Sequence, residues 1–158
     1  MTAFTESDGW LKMDYTSFQS AEAIKRLKAK YCRMLDTRDW EEWGRLFTKE
    51  AWIDVSQDFN AADGINSVLK GRDQIVRQIS SYIVGGQSVH HVYYPELDIL
   101  SEKEARGIWA MDDMITFENG QPFKVKRGWG HYHETYSLIH DRWHISSVRL
   151  TRLRIEIE

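Results

Sequence analysis

ARGIWAMDDMITF (105–117) alternates with a period of two, as a strand with one covered face must. One face reads Ala105, Gly107, Trp109, Met111, Asp113, Ile115, Phe117, apolar or aromatic except at Asp113. Asn119-Gly120 follows as a hairpin signal. Two more long strands are predicted over 123–139 and 142–157, joined around His140-Asp141. Upstream, 88–100 reads as a strand interrupted by Pro95, with SEKE (101–104) as a turn. Everything after Gln87 is therefore expected to be antiparallel sheet.

The half before Gln87 is mainly helical. Ile24, Leu27, Tyr31, Met34 and Leu35 make one apolar face of a helix from Ser20. A second short helix is expected after Asp39, with Glu42 as its capping-box partner and Trp40, Trp43, Leu46 and Phe47 as its buried stripe. Ala51–Ser56 reads as a strand, 57–66 as a loop or hairpin tip with Asp63-Gly64 at its turn, and Ser67–Lys70 as a short strand. A third helix starts at Arg72, buries Ile75, Ile79, Tyr82 and Ile83, and stops at Gly85-Gly86. Segregated helices and antiparallel strands predict an α+β fold. Its mainly antiparallel sheet would curve into a cone against the N-terminal helices, with glycines 107, 128 and 130 at the bends. The 158 residues suit one domain, expected over 18–158 behind an arm of residues 1–17.

A formal net charge of −3, with Lys and Arg scattered, argues against a nucleic-acid partner. No apolar run has the roughly 20 residues of a membrane span. MTAFTESDGW does not read as a signal peptide. The single cysteine, Cys32, allows no intrachain disulfide and is compatible with a cytoplasmic location. Aromatic residues make up 13% of the chain, which serves either packing or a wide apolar pocket.

Asp113 is the residue that breaks its own pattern. An inward carboxylate is either buried and paired or lines a pocket; if the face is inverted, Asp112 points inward instead. His90 and His91 are adjacent on a strand, so one points in and one out. Asp36 ends the first helix, where a negative charge is mildly unfavourable. Tyr31 lies about 140° around that helix from it, so an ideal helix would not aim both at one point. Arg152 shares a face with Val148 and Leu150 and reads as an exposed arginine with a buried stem. His131 and His133 form an H-x-H pair, but no cupin, H-E-x-x-H or C-x-x-C spacing accompanies it, so no metal and no cofactor are expected.

EAIKRLKAKYCRMLDTRDW (22–40), VHHVYYPEL, ARGIWAMDDMITF and RWHISSVRLTR, in this order, resemble the SnoaL-like branch of the nuclear-transport-factor-2-like superfamily. The likeness covers about residues 20–156. It is strongest to the bile acid 7α-dehydratase family and more distant to the scytalone dehydratase and hexachlorocyclohexane dehydrochlorinase families. It implies a cystatin-like α+β barrel and a cofactor-free dehydratase-type lyase acting on a hydrophobic polycyclic, steroid-like or aromatic molecule. It also implies a catalytic set of His90, Asp36, Tyr31, Asp113 and Arg152, with Arg149 as the alternative to Arg152.

In that set His90 would be the base, oriented by Asp36. Tyr31 and Asp113 would donate to a substrate oxygen, unless Arg152 pairs with Asp113. Trp109, Met111, Trp52 and Tyr132 are candidates to line the pocket. An isomerase or cyclase, or a non-catalytic subunit like that of ring-hydroxylating dioxygenases, would use the same fold. The resemblance implies a homo-oligomer, a trimer ahead of a dimer. Trp129, His131, His133 and Ile139 are the expected outer contact face.

Overall fold

The computed structural model describes residues 15–58, 67–120 and 122–158. The order is α1 (Tyr15–Asp36), α2 (Trp40–Arg45), β1 (Phe47–Asp54), β2 (Val68–Lys70), α3 (Arg72–Ile83), β3 (Gly86–Ile99), β4 (Glu104–Phe117), β5 (Val125–Ile139) and β6 (Arg142–Ile157). One curved sheet runs β2-β1-β6-β5-β4-β3. All neighbours are antiparallel except β1 and β6, which are parallel. With the helices packed on the sheet, this is the expected α+β fold. No helix among the described residues is long and apolar enough to cross a membrane.

The alternation of β4 decides which side is inside. Ala105, Trp109, Met111, Asp113, Ile115 and Phe117 are all buried, whereas Met114 on the other face is 37% exposed. α1 closes this face with Ile24, Leu27, Tyr31 and Leu35. Tyr31, Trp43 and Phe47 meet there ring to ring at centroid separations of 4.9–6.0 Å, an arrangement that adds to area burial.

Two glycines shape the sheet where β5 passes β6. A Cβ on Gly130 would lie 1.9 Å from the Thr151 carbonyl oxygen, at a shift of register between Trp129 and Gly130. Only glycine permits that approach, and the irregularity bends the strand. The second, Gly128, faces the inner side and is taken up with the site below. The β5–β6 hairpin turns on His140 and Asp141 alone, at φ 48° and 61°. Two positive φ angles give the twist a two-residue hairpin needs, and His and Asp tolerate them better than most residues.

Several boundaries depart from the sequence reading. Helix α1 begins at Tyr15, so part of the expected arm is helical; residues 1–14 lie outside the described residues. Asp39 stands at the N-cap of α2 without a side-chain capping bond, and Glu42 pairs with Arg45 rather than closing a capping box. Phe47 opens β1 rather than continuing α2, since the Leu46 carbonyl already accepts from Ile145 of the sheet. Pro95 does not break β3; the sheet absorbs it as a register shift between Val92 and Pro95. The β4–β5 connection is longer than Asn119-Gly120 suggests, with the Phe117 N–H bonded to the Lys124 carbonyl and Gly120 at φ 70°. The Asp63-Gly64 turn lies outside the described residues.

Candidate active site

The end of α1 places the first functional group. Arg38 takes a left-handed conformation at φ 60°, and the Asp39 N–H reaches back to the Met34 carbonyl at 2.9 Å, a Schellman-type closure. Asp36, the last helical residue, then faces β3. Its Oδ1 lies 2.6 Å from His90 Nδ1 and accepts from Ser88 Oγ at 2.9 Å. Its Oδ2 accepts the His90 backbone N–H, also at 2.9 Å. These bonds offset the unfavourable charge at a helix C-terminus. A carboxylate against Nδ1 requires Nδ1 to carry the proton, which leaves Nε2 as the basic nitrogen.

The His90 side chain is 7% exposed and that of His91 61%. The alternation thus sends His90 inward, while His91 meets Asp112 outside at 3.0 Å. His90, Tyr31, Tyr132 and Asp113 all line one cavity of about 50 Å³, whose walls include Leu35, Ile79 and Ile115. Tyr31 reaches this cavity directly and Asp36 only through His90, as their 140° separation on the helix demands. Burial, and then Glu134, push the Tyr31 phenol well above its ordinary value, so it is a hydrogen-bond donor rather than a proton source. Burial also pushes the Cys32 thiol up to about 11, which leaves it inert as a nucleophile.

Asp113 is inward and paired. Arg152 Nη2 donates to its Oδ2 at 2.7 Å, the pairing that the sequence reading left open beside a donor role. Asp113 Oδ1 is buried with no hydrogen-bond partner among the described residues. Arg152, its side chain 5% exposed, also grips Asp58 Oδ1 and Oδ2 through Nε and Nη2, each at 2.7 Å. Arg149 faces outward at 62% exposure, 3.7 Å from Asp54, so Arg152 and not Arg149 is the arginine buried beside Asp113. Lys126 Nζ lies 3.2 Å from Asp58 Oδ1. Burial works to raise the Asp58 carboxyl, but the Arg152 guanidinium and Lys126 outweigh it and hold it below the usual carboxylate range.

Gly128 makes room for this cluster. A Cβ there would sit 2.3 Å from Arg152 Nη1 and 2.7 Å from Asp113 Oδ1. The guanidinium is pinned on several sides and cannot swing away cheaply. Gly128→Ala is therefore expected to lose about 1–3 kcal/mol by overpacking, read as a lower denaturant midpoint at unchanged slope.

Three expected pocket residues are placed elsewhere. Trp52 is 40% exposed and does not line the cavity. Trp109 is buried but turned to a second polar string, its Nε1–H donating to Tyr136 Oη at 2.7 Å. Tyr136 donates to Glu134, and Glu134 pairs with Lys28, whose Nζ lies 4.0 Å and 3.7 Å from the ring centroids of Tyr31 and Tyr132. Met111 stands beneath the arginine, its Sδ 3.4 Å from Arg152 Nη1. Tyr132 does line the cavity.

Asp58, Lys126, Lys28, Glu134 and Ser88 were not foreseen. Lys126 and Glu134 share the inner face of β5 with Tyr132, so the alternation that singles out Asp113 would have found them. Lys28 sits four residues after Ile24 and three before Tyr31, on the helix face already read as buried. Asp58 carries no periodic signal.

Among the described residues no group of three His, Cys, Asp or Glu side chains converges as metal ligands would. His131 and His133 have ring centroids 6.3 Å apart, and His133 Nε2 is 3.1 Å from Thr151 Oγ1. A wider open recess of about 510 Å³ lies between α2 and α3, beside Trp40, Arg45 and Arg72. It holds no histidine, and its carboxylates face exposed arginines. The acid–base groups converge on the smaller cavity.

Known proteins share this arrangement of elements. A probable cyclase, FGR4, of Gibberella zeae is 27% identical over 143 residues, covering 85% of this chain and 92% of that protein. A Novosphingobium aromaticivorans protein provisionally named scytalone dehydratase superposes with a TM-score of 0.79 at 20% identity, covering 92% of each chain. A type-3 hexachlorocyclohexane dehydrochlorinase, LinA, of Novosphingobium barchaimii superposes at 0.75 with 16% identity, covering 92% of this chain and 94% of that one. At such identities the two structures establish the fold alone. The profile of the SnoaL-like domain matches residues 16–149, a span that takes in the helices and the sheet described above, and the chain belongs to the SnoaL-like domain family.

Proposed function

We propose that the chain is a cofactor-independent lyase that eliminates water or another β-leaving group from a hydrophobic ring compound. The observation that carries this reading is the 2.6 Å contact of His90 Nδ1 with Asp36, with the same imidazole lining an apolar cavity. An Asp-held imidazole with a free Nε2 suits proton abstraction. His90 Nε2 takes the substrate's C–H proton, the C–H electrons form the double bond, and the C–O bond breaks. The imidazolium then returns the proton to the departing oxygen, which leaves as water and restores the base. Tyr31 hydrogen-bonds that oxygen, and Arg152 holds Asp113 at the cavity wall. The names of the dehydratase and dehydrochlorinase relatives support elimination.

A second reading has one specific support, the cyclase name of the 27%-identical relative. A cyclase or isomerase would return the proton to carbon and lose nothing. Product mass separates the two: loss of one water, or of hydrogen halide, is expected for substrates found by screening hydroxylated and halogenated ring compounds. Products of unchanged mass would overturn elimination in favour of isomerisation or ring closure. As further proposals, the protein works as a homo-oligomer, in the cytoplasm, on a small molecule.

A further inference from the structure

Asp113 has one oxygen satisfied and one not. Arg152 spends its forked edge on Asp58, with Nε and Nη2 each donating at 2.7 Å. It gives Asp113 a single further bond, from Nη2 to Oδ2, and turns Nη1 to Met111 Sδ at 3.4 Å. Across the strand pair Asp113 faces Gly128, which has no side chain to offer. Oδ1 is therefore buried with no hydrogen-bond partner among the described residues, on a side chain 4% exposed. A carboxylate oxygen kept in that state is costly, and it calls for a partner from outside the chain.

Its position makes the partner a ligand. Asp113 lines the cavity and stands directly opposite His90 in the register of β3 and β4, a pairing that sets Cβ atoms roughly 4.5–5.5 Å apart. The cavity's phenols do the opposite job. Burial first, with Asp113 among the lesser causes, holds Tyr31 and Tyr132 well above their ordinary values, so both keep their protons and donate. A carboxylate paired with a guanidinium accepts. A cavity of about 50 Å³ must widen to admit a ring compound, and a ring that fills it excludes water. The partner of Oδ1 is then part of the ligand, and a donor anchored there holds the adjoining carbon beside the His90 imidazole. A carboxylate next to the leaving oxygen would oppose the negative charge gathered as its bond breaks, so this donor is a group other than the leaving one.

We propose that Asp113 Oδ1 is the selecting acceptor of this cavity, and that the ring compound it takes carries a hydrogen-bond donor, O–H or N–H, besides its leaving group. This names a substrate class for the lyase site and rests on that reading for the reaction, but its test measures binding and is blind to turnover.

The full chain is titrated with indole and with benzofuran, bicyclic rings of nearly the same shape, one with a ring N–H and one without. Binding is followed through the nitrogen-15 signals of the His90 ring, assigned by their loss in His90→Ala, so that only occupation of this cavity is read. Wild type is expected to bind indole about tenfold or more tighter than benzofuran. Asp113→Asn keeps a carbonyl oxygen for Arg152 and presents an NH₂ where Oδ1 stood. Indole is expected to bind this variant about tenfold or more weaker than wild type, and benzofuran to change by less than about twofold. Equal affinity for the two probes in wild type, tighter binding of benzofuran, no response of His90 to either, or a folded Asp113→Asn variant that loses both alike would each overturn the proposal. If circular dichroism shows that Asp113→Asn does not fold, the wild-type comparison decides alone. Donor preference without any elimination activity would remove the lyase reading and keep this one. Elimination from substrates that lack a second donor, with equal affinity for the two probes, would do the reverse.

Discussion

His90→Ala is expected to lower kcat/KM for the eliminated substrate by about 10²–10⁴-fold while leaving the fold intact. Among the described residues that line the cavity, His90 carries the one imidazole. Added imidazole should restore part of the rate, because the truncated side chain leaves room beside Asp36. Asp36→Asn tests the other half of the pair. An amide can turn its NH₂ toward Nδ1, which favours the tautomer with the proton on Nε2, where it is useless for abstraction.

The loss for Asp36→Asn should fall mainly in kcat, since the imidazole stays in place and only its protonation pattern changes. Asp36 also accepts from Ser88 Oγ and the His90 N–H, so melting temperatures must accompany both variants. Nitrogen-15 NMR of the histidine rings supplies a check that needs no substrate: His90 in wild type should carry its proton on Nδ1. A His90→Ala variant with unchanged kcat/KM would remove the base, and with it the elimination mechanism.

The fold was legible because its signals are periodic. Alternation over 105–117 left only Asp113 or Asp112 as the inward carboxylate, a choice the burial of Asp113 decides, and the spacing from Ile24 to Leu35 marked the helix that covers it. The His90–Asp36 contact was implied by resemblance alone, since nothing local links a helix end to a strand fifty residues on. What the reading missed falls into two kinds. Lys28, Lys126 and Glu134 lie on faces the periodicity had already turned inward, but none of them was singled out. Buried charge is rare unless paired, so each implies a partner that sequence order does not reveal. Asp58 is of the other kind: an aperiodic loop gives no direction to its side chains, and only the fold shows it meeting Arg152. Trp52 and Trp109 show the converse error. Aromatic character marked them for a pocket, yet one sits on the outer surface and the other donates to Tyr136.

Lys28→Met should be among the most destabilising single changes outside the site, at about 3–5 kcal/mol. Lys28 and Glu134 have side chains 0% exposed, and they join α1 to β5. Removing the ammonium leaves the Glu134 carboxylate in a dry interior, where its only other hydrogen-bond donor shown is Tyr136 Oη. A loss of that size is a large share of the roughly 5–15 kcal/mol that holds a domain together.

The double change Lys28→Met with Glu134→Gln separates charge from packing. The introduced glutamine amide would still accept from Tyr136, and the introduced methionine would keep most of the lysine's volume against the rings of Tyr31 and Tyr132. If the single loss is the stranded charge, the double variant should recover more than half of it, and a double-mutant cycle should return a coupling of the same sign. If the lysine mattered only as a filler, the losses would simply add. Urea unfolding of the four proteins reads the difference directly. A Lys28→Met loss under about 1 kcal/mol would place the pair with the weak, solvent-screened kind, contrary to its complete burial between helix and sheet.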